Sequence, residues 1–289
     1  MLPRLEQYCR ETDLGNVVFL YTQRKKHAIE LASEATENGC DYLIGVGGDG
    51  TLHELINGVM QHRLSGAQYP VIGALPCGSA NDFARTAQLS NSIEKLMELI
   101  KANTCSKIDL GSILLHTSGE TRYFINIAGL GLGPEVVQRL GQSSSLLGSG
   151  FNYFKHILKG FIFYKKKEIC CTGNTWQWRG KLLQMAVANG RYFGHAICPT
   201  PDAKLTDGQF QVAIFGNLSL WDYLKNLGKL KKGIKINHPQ VSYHEASEVF
   251  VESIDACGIE ADGEYVGLTP ATIRVMPKAI CFLMPPNVQ

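Results

Sequence analysis

The sequence lacks any long apolar run. Its longest uncharged stretches, such as residues 123–134, are short and interrupted by glycine, whereas a membrane-spanning helix needs roughly 18 or more consecutive apolar residues. We therefore do not expect an integral membrane protein. The first residues, MLPRLE, also lack the basic segment and the following apolar segment of a secretory signal, so we expect no signal peptide.

The nine cysteines include no C-x-x-C pair. This argues against a zinc ribbon and a disulfide framework, and it favours a reducing cytoplasm as the location. No charge of one sign dominates, because 28 Lys and Arg residues face 26 Asp and Glu residues. A protein that wraps nucleic acid is more basic than this, so we predict no nucleic-acid partner.

The first hundred residues alternate between strand patterns and helical patterns. Short apolar or β-branched runs lie at residues 16–22, 41–46 and 71–75, and helical patterns lie at residues 24–38 and after Thr51. Strands that alternate with helices indicate βαβ units and a parallel sheet. We therefore predict an α/β domain over residues 1–105.

The pattern changes to many short strands after residue 105. Strands are predicted at residues 107–115, 123–128, 182–188, 209–215, 249–253, 273–276 and 279–283, with helices near residues 153–164 and 218–230. Such strands, separated by Gly, Asn and Asp turns, are typical of an antiparallel sandwich or barrel. We predict a second, all-β domain over residues 106–289, whose C-terminal residues could return to the first domain.

The most informative local motif is GGDGT at residues 47–51, between a buried strand and a helix. Glycines let successive backbone N–H groups converge on one point, and the helix N-terminus adds positive partial charge, so the motif suits a phosphate. Asp49 could face a Mg²⁺ ion that bridges phosphate oxygens. The alternative from the residues alone is a tight turn in which Asp49 caps the helix.

A second glycine-containing turn, LPCGSANDFAR, follows the next predicted strand at residues 75–85. Consecutive parallel strands end at one edge of a sheet, so the two turns are expected to face one crevice. Ser79 can offer a hydroxyl to a phosphate there. Asn81 or Asp82 can cap the short helix that follows.

These segments resemble a known family. GGDGTLHE, a downstream PxGSANDFAR, then NGRYFG, KLTDGQF and a late ADGE occur in this order over nearly the whole chain, as in the YegS-like bacterial diacylglycerol and lipid kinases, which are related to sphingosine and ceramide kinases. NAD kinases and phosphofructokinases share GGDGT but not ANDFAR. The resemblance implies a NAD kinase-like α/β domain, then an antiparallel β-sandwich, with the active site between them.

The resemblance also implies site residues and cofactors. It places ATP against Thr22, Ser79 and the loop of residues 47–53, which comprises Gly47, Gly48, Asp49, Gly50, Thr51, Leu52 and His53. Glu264 matches the proton acceptor, and Asp49 is a rival for that role. A Mg²⁺ site is implied at the Asp207 carboxylate and the carbonyl groups of Lys204 and Gln209.

The expected activity is therefore transfer of the ATP γ-phosphate to the hydroxyl of a diacylglycerol-like or related lipid. Two alternatives stay open: a non-catalytic nucleotide or lipid sensor, and a kinase of a soluble alcohol such as NAD. Family members normally begin with a strand that ends in Asn-Pro-x-x-Gly. This chain begins with a predicted helix at residues 2–10, so we expect that first strand to be absent.

A lipid substrate implies contact with a membrane surface. Residues 153–167, YFKHILKGFIFYKKK, interleave aromatic and aliphatic side chains with lysines, and such a segment can lie on anionic headgroups. A core-facing helix followed by a solvated lysine run is the alternative. A second lysine-rich stretch occupies residues 225–235. We expect peripheral contact with the inner face of the membrane, and a homodimer is kept as a further prediction.

Overall fold

The computed structural model describes residues 2–12, 15–62, 69–141, 159–161 and 163–286. Its helices, in chain order, are α1 (Leu2–Glu11), α2 (His27–Glu37), α3 (Asp49–Val59), α4 (Asp82–Thr86), α5 (Ile93–Lys101), α6 (Leu132–Gly141) and α7 (Leu220–Lys231), with one 3₁₀ turn at Met60–His62. None of these helices is both long enough and apolar enough to cross a bilayer.

The strands form two sheets. Their bounds are β1 (Tyr42–Gly47), β2 (Val71–Pro76), β3 (Cys105–Leu115), β4 (Thr121–Phe124), β5 (Ile127–Gly131), β6 (Lys167–Thr172), β7 (Gln177–Leu182), β8 (Gln184–Ala188), β9 (Phe210–Phe215), β10 (Val241–Ala246), β11 (Glu248–Ser253), β12 (Gly258–Ala261), β13 (Glu264–Leu268) and β14 (Ala271–Leu283).

The first sheet is mixed and has eight strands in the described part of the chain. Its order is β1-β2-β14-β11-β6-β7, and β3 pairs with both β14 and β4. β1 and β2 are parallel, and the end of β14 joins β2 in parallel through Phe282 and Ile72. The C-terminal strand therefore completes the sheet that carries the glycine loops.

The second sheet is antiparallel, with the order β10-β9-β8-β5-β12-β13. Its inner face packs on the first sheet around a shared core, in which Phe124 of β4 stacks on Phe210 of β9 with ring centroids 5.6 Å apart. The parallel part of the first sheet has a separate core with α3 and α4, where Phe83 meets Phe282 edge to face. The α/β and sandwich architecture predicted from the sequence is confirmed.

Residues 16–22 do not form the predicted strand. They have no regular secondary structure and lie outside both sheets, and the side chains of Val17, Val18, Leu20 and Tyr21 are exposed. The prediction rested on β-branched and aromatic composition, which stabilises a strand only where a neighbouring strand and a packed face are present. Here β1 pairs with β2, and no described strand occupies its other edge.

Other predicted elements differ in their bounds. Residues 123–128 divide into β4 and β5, whereas the strands predicted at 273–276 and 279–283 join as β14, with a bulge between Met276 and Ile280. The helix predicted from residue 24 begins at His27 because Lys26 adopts a left-handed conformation with φ 66°. In the segment 153–167, residues 153–158 and 162 lie outside the described residues.

Candidate active site

The GGDGT motif forms the turn between β1 and α3, as predicted. Gly48 is extended and precedes the helix, and the Leu52 N–H donates to its carbonyl oxygen at 3.1 Å. A Cβ on Gly47 would lie 2.3 Å from the Thr51 hydroxyl oxygen, so only glycine allows this close turn. The first N–H groups of a helix have no carbonyl partner within the helix, and they point outward from its N-terminus, where they can bind an anion.

The second loop touches the first through backbone atoms. A Cβ added to Gly78 would lie 2.4 Å from the Gly48 Cα atom, and one added to Gly48 would lie 2.9 Å from the Gly78 Cα atom. The Cys77 N–H donates to the Gly47 carbonyl oxygen at 2.8 Å. The two turns therefore form one surface at the ends of β1 and β2, beside a small cleft lined by residues such as Asp49, Asn81 and Phe83.

Asp49 links the two loops. Its two carboxylate oxygens accept the N–H groups of Asp82 and Phe83, each at 3.1 Å. Asn81 occupies the N-cap position of α4, as predicted, but its side chain makes no capping hydrogen bond, and Asp49 from the first loop accepts the first N–H groups of the helix instead. Asn81 instead accepts the Gly78 N–H at 2.9 Å and is left-handed, with φ 51°.

Asp82 connects the α/β loops to the sandwich. Its side chain is buried, and its carboxylate accepts the N–H groups of His195 at 3.0 Å and Ala196 at 2.8 Å. Burial raises the pKa of Asp82, although these two N–H bonds oppose the shift. Gly194, His195 and Ala196 all have φ between 58° and 67°, so Asp82 holds a left-handed turn of the NGRYFG segment against the active-site loop.

The ADGE turn joins β12 to β13 and is fixed by the buried carboxylate of Asp262. This group accepts the N–H groups of Ile125, Asn126 and Ile127 at 2.9–3.1 Å and lies 3.3 Å from Nδ1 of His53 on α3. Asp262 is itself left-handed, with φ 52°. The turn is therefore anchored both to the β4–β5 connection and to α3.

Glu264, the first residue of β13, extends from this turn toward the N-terminus of α3. A Cβ on Gly50 would lie 3.8 Å from Glu264 Oε1, so the carboxylate stands beside the second residue of the helix. Glu264 Oε2 lies 2.7 Å from Lys25 Nζ, and the Glu264 side chain is 31% exposed. The fold thus brings Gly50, His53 and Glu264 together across 200 residues of sequence, with Asp49 on the same helix turn.

A second carboxylate, Glu260, lies beneath the ADGE turn, and the sequence analysis did not single it out. It is buried, and its Oε2 accepts the Gly263 N–H at 2.8 Å. A Cβ on Gly129 would lie 2.2 Å from Glu260 Oε1, so the glycine makes room for this side chain. Burial, with a smaller contribution from Asp262, raises the pKa of Glu260 to about 8.

Two family models match the chain. The diacylglycerol kinase catalytic domain matches residues 1–113, and the YegS C-terminal NAD kinase beta sandwich-like domain matches residues 131–284, more than half of the chain. The chain belongs to the YegS-like lipid kinase family. The break between the matches falls near β4 and β5, where the ADGE turn is anchored.

Curated relatives agree with this family. The chain is 29% identical over 262 residues to a diacylglycerol kinase of Staphylococcus aureus strain RF122, covering 89% of this chain and 78% of that protein. It is 29% identical over 273 residues to one of Staphylococcus carnosus strain TM300, covering 93% and 84%.

Two crystal structures from Bacillus anthracis strain Sterne share the fold. One is of a diacylglycerol kinase, with a TM-score of 0.68 at 18% identity, covering 93% of this chain and 85% of that one. The other has a TM-score of 0.73 at 22% identity, covering 93% and 86%.

The remaining residues predicted for this lipid kinase site lie at three places. Thr22 is exposed in the segment that precedes Lys25, and Ser79 is exposed in the second glycine loop. Lys204, Asp207 and Gln209 form the turn before β9, where Asp207 Oδ1 accepts the Gln209 N–H at 3.1 Å. Their contacts with ATP or metal stay predictions.

The turn at residues 204–209 is held by a buried aspartate on β3. Asp109 accepts the N–H groups of Gly208 and Lys278, each at 2.7 Å, and burial raises its pKa. Within the described ranges, no group of three or more His, Cys, Asp and Glu side chains is placed to hold a metal. A cavity of about 520 Å³ adjoins Gly208, with Asn174, Glu248 and Arg274 in its wall, and is formed by elements other than the glycine loops.

Proposed function

We propose that this protein transfers the γ-phosphate of ATP to the hydroxyl of a diacylglycerol-like lipid. The observation that carries the proposal is the position of Glu264, a half-buried carboxylate beside the helix N-terminus that the GGDGT turn opens. A phosphate-binding turn next to a carboxylate able to accept a proton is the arrangement that phosphoryl transfer to an alcohol requires.

The nucleotide phosphates are expected to lie on the amides of residues 48–51, at the N-terminus of α3. Aligned N–H groups and the helix dipole favour negative charge there. Ser79 follows Gly78, whose backbone contacts Gly48. Its hydroxyl is therefore proposed to donate a hydrogen bond to a nucleotide phosphate. Thr22, three residues before Lys25 in the chain, is proposed as a further contact of the nucleotide.

Glu264 is proposed to accept the proton of the lipid hydroxyl. The hydroxyl oxygen forms a bond to the γ-phosphorus while the bond from that phosphorus to the bridging oxygen breaks, and ADP leaves. The protein lowers the barrier chiefly by holding the reacting atoms in line and by accepting the proton as the new bond forms. A positioned base contributes roughly 10²- to 10⁴-fold in rate.

Asp49 is the weaker candidate for the base. Both of its carboxylate oxygens accept backbone N–H groups of α4, so its function in this geometry is to hold the second loop against the first. Glu264 has one oxygen on the exposed Lys25 ammonium and the other facing Gly50. We therefore assign proton acceptance to Glu264 and loop positioning to Asp49.

Magnesium is proposed at the turn of residues 204–209. The donors there are the Asp207 carboxylate and the carbonyl oxygens of Lys204 and Gln209, and Mg²⁺ prefers such oxygen ligands. Asp207 is exposed, so its second oxygen is accessible for an ion. Mg²⁺ that accompanies ATP supplies charge neutralisation on the phosphate oxygens.

The lipid is proposed to be reached from the cytoplasmic surface of a membrane. α7 and its C-cap residue carry a stripe with Trp221, Lys225, Lys229 and Lys232 at helical spacing, and all four are exposed, with Trp221 at 76%. Each lysine near an anionic surface contributes about 1 kcal/mol, and tryptophan suits the interface. This stripe supports peripheral contact, together with the lysine-rich segment of residues 153–167.

Vesicle binding tests this contact. The double variant Lys225→Ala with Lys229→Ala should bind vesicles containing phosphatidylglycerol at least several-fold more weakly than the wild type, since two attractive charges are lost. The double variant Lys95→Ala with Lys101→Ala removes the same charge from the exposed face of α5 and should bind normally. Equal binding of all three proteins to anionic vesicles would contradict the proposal.

The predicted homodimer also remains a proposal. The edge of β1, which no described strand covers, and the exposed side chains of Val17, Val18, Leu20 and Tyr21 would suit a second copy, because exposed strand edges pair with other chains. Sedimentation over a range of concentrations measures this directly.

Transfer of labelled phosphate tests the proposed function. The protein is incubated with ATP labelled in the γ-position and vesicles containing diacylglycerol, phosphatidylglycerol, undecaprenol or a sphingoid base, beside soluble NAD. Label on diacylglycerol or a related lipid is expected. Label on NAD alone, or nucleotide binding with no labelled acceptor at all, would refute the proposal in favour of a soluble-alcohol kinase or a sensor respectively.

A further inference from the structure

Lys25 contacts the proposed base from outside the family motifs. It lies in the loop of residues 23–26, between the N-terminal segment and α2, and its Nζ atom is 2.7 Å from Glu264 Oε2. Its side chain is 68% exposed. The contact joins residues 239 positions apart in sequence, 25 and 264, so nothing in the local pattern predicts it.

The loop that carries Lys25 is fixed onto α3. Glu54, in the second turn of that helix, accepts the Lys26 N–H at 2.8 Å and the Ala28 N–H at 3.2 Å with its two carboxylate oxygens. The Gln23 N–H donates to His27 Nδ1 at 3.0 Å. The backbone on both sides of Lys25 is therefore held by hydrogen bonds, whereas the Lys25 side chain is mostly exposed and has the Glu264 carboxylate as its ion-pair partner.

The other carboxylates near the site have backbone partners. Asp49 accepts two N–H groups from α4, and Asp262 accepts three from the β4–β5 connection. Glu264 has a lysine instead. A mobile ammonium can move from a carboxylate to a more highly charged phosphate, whereas fixed backbone N–H groups cannot.

If Glu264 is the base, this ammonium is expected to lie close to the transferred group. A base lies about 2.6–3.2 Å from the oxygen whose proton it accepts, and that oxygen lies about 3–3.5 Å from the phosphorus it attacks. Lys25 touches the same carboxylate, and its side chain has four rotatable carbon–carbon bonds. We therefore expect a change of rotamer to be able to carry Nζ from the Glu264 carboxylate to the γ-phosphate oxygens.

We propose that Lys25 is a catalytic residue that binds the γ-phosphate of the nucleotide and leaves Glu264 when it does so. The inference rests on the proposed function, because it takes the nucleotide to lie at α3 and Glu264 to be the base. Without nucleotide, Lys25 neutralises Glu264. With ATP bound, the ammonium stabilises charge on the transferred phosphoryl group and keeps its own proton, and the released carboxylate accepts the hydroxyl proton.

Nucleotide titration calorimetry without lipid tests this role. Lys25→Met keeps most of the side-chain length but removes the charge. It should weaken binding of the non-hydrolysable analogue AMP-PNP by about ten- to a hundredfold, the range expected for a charge-assisted hydrogen bond, and should change ADP affinity by less than about threefold. Lys25→Arg should restore most of the preference for the triphosphate.

Lys26→Gly is the matched control. It removes the same charge one residue away, and glycine suits the left-handed backbone there, so both affinities should stay within about threefold of wild type. The proposal is overturned if Lys25→Met binds both nucleotides as the wild type does, or if it loses ADP and AMP-PNP affinity equally. Equal free energies of unfolding in urea for the variants and the wild type would show that the fold is intact.

The nucleotide titration tests the role of Lys25 independently of the lipid assay, which tests the proposed function. Label transfer to a lipid with a normal triphosphate preference in Lys25→Met would support the proposed function and reject this role. If Lys25→Met loses the triphosphate preference but the wild-type protein labels no lipid, the role of Lys25 in nucleotide binding is supported and the proposed lipid kinase function is rejected. A wild-type protein that binds neither nucleotide would overturn both.

Discussion

The carboxylates at this site perform two different tasks. Asp49, Asp82 and Asp262 accept backbone N–H groups from other segments, and these fixed donors compensate for the water that the carboxylates lose on burial. Glu264 has no such anchor and stays partly exposed. Residue type alone therefore does not distinguish the scaffold from the base, whereas the hydrogen-bond partners do.

Glu260 gives the site a pH-dependent stability. Its pKa is raised from an ordinary value of 4.5 to about 8 in the folded protein, so between these values the folded chain holds a proton that the unfolded chain releases. Its contribution is fully present below pH 4.5 and is lost as pH rises to about 8. The free energy of unfolding should fall by up to about 1.4 kcal/mol per pH unit in this window.

Urea unfolding at pH 5 and pH 7.5 measures this slope. Glu260→Gln, which is neutral at both values, should lose most of it. Glu252→Gln, an exposed carboxylate on β11, should keep it. An unchanged slope in Glu260→Gln would show that the group is ionised in the folded protein.

The first two turns of α3 are the element on which the site depends. Gly50 faces Glu264, His53 contacts Asp262, and Glu54 holds the loop of Lys25. One helix therefore sets the distances between segments from both sheets and from the N-terminal loop. The close approach of the two glycine turns at its start leaves no volume for a larger residue.

Gly78→Ala should disrupt this contact. The added methyl group would lie 2.4 Å from the Gly48 Cα atom, and separation of the two backbones should cost about 1–3 kcal/mol in the free energy of unfolding. Nucleotide affinity should fall as well, because the amides of the two loops no longer converge. Urea unfolding and ATP titration measure both effects.

Gly228→Ala on α7 is the control. Nothing lies within 4 Å of an added Cβ there, so alanine should leave stability unchanged or raise it by about 0.5–1 kcal/mol. If Gly78→Ala matched this control in stability and in ATP affinity, the tight contact between the loops would not be needed.

Sequence patterns predict the elements that carry their own signal. The positions of GGDGT and ANDFAR after β1 and β2 are predictable because glycine turns leave a local signal in the sequence. The alternation of strand and helix patterns predicts the parallel pairing of these strands. The strand predicted at residues 16–22 is wrong because a strand needs a partner that composition does not reveal. The contacts of Lys25 and Glu260 join distant segments, so only the fold shows them.

At the scale of the whole molecule, β14 of the first sheet connects the sandwich with the α/β region. β14 pairs with β3 along its whole length, with β11 near its start and with β2 near its end. Phe282, Ile280 and Met284 also enter the core of the α/β region, packing beside Ile108 and Leu110. Residues 280–284 therefore support the loops that we propose to hold the nucleotide. The domain boundary at residue 105 stays a prediction.

A fragment of residues 1–105 should not fold alone. The fragment lacks five side chains of the α/β core, namely Ile108, Leu110, Ile280, Phe282 and Met284. Each buried large apolar side chain contributes about 1.5–3 kcal/mol, so their combined loss is comparable to the whole stability of a typical domain, about 5–15 kcal/mol. Circular dichroism should show no cooperative thermal transition in the fragment, in contrast to the full chain. A sharp transition would mean that the α/β region is independent of β3 and β14.

The central claim is that Glu264 accepts the proton during phosphoryl transfer to a lipid. The most direct test is the rate of transfer from γ-labelled ATP to diacylglycerol in vesicles for Glu264→Gln and Asp49→Asn, with the free energy of unfolding measured for each. Glu264→Gln should lower kcat by about 10²- to 10⁴-fold with stability unchanged, whereas Asp49→Asn should also lose about 0.5–2 kcal/mol of stability as a cap is weakened. A Glu264→Gln protein that transfers phosphate at the wild-type rate would contradict the account.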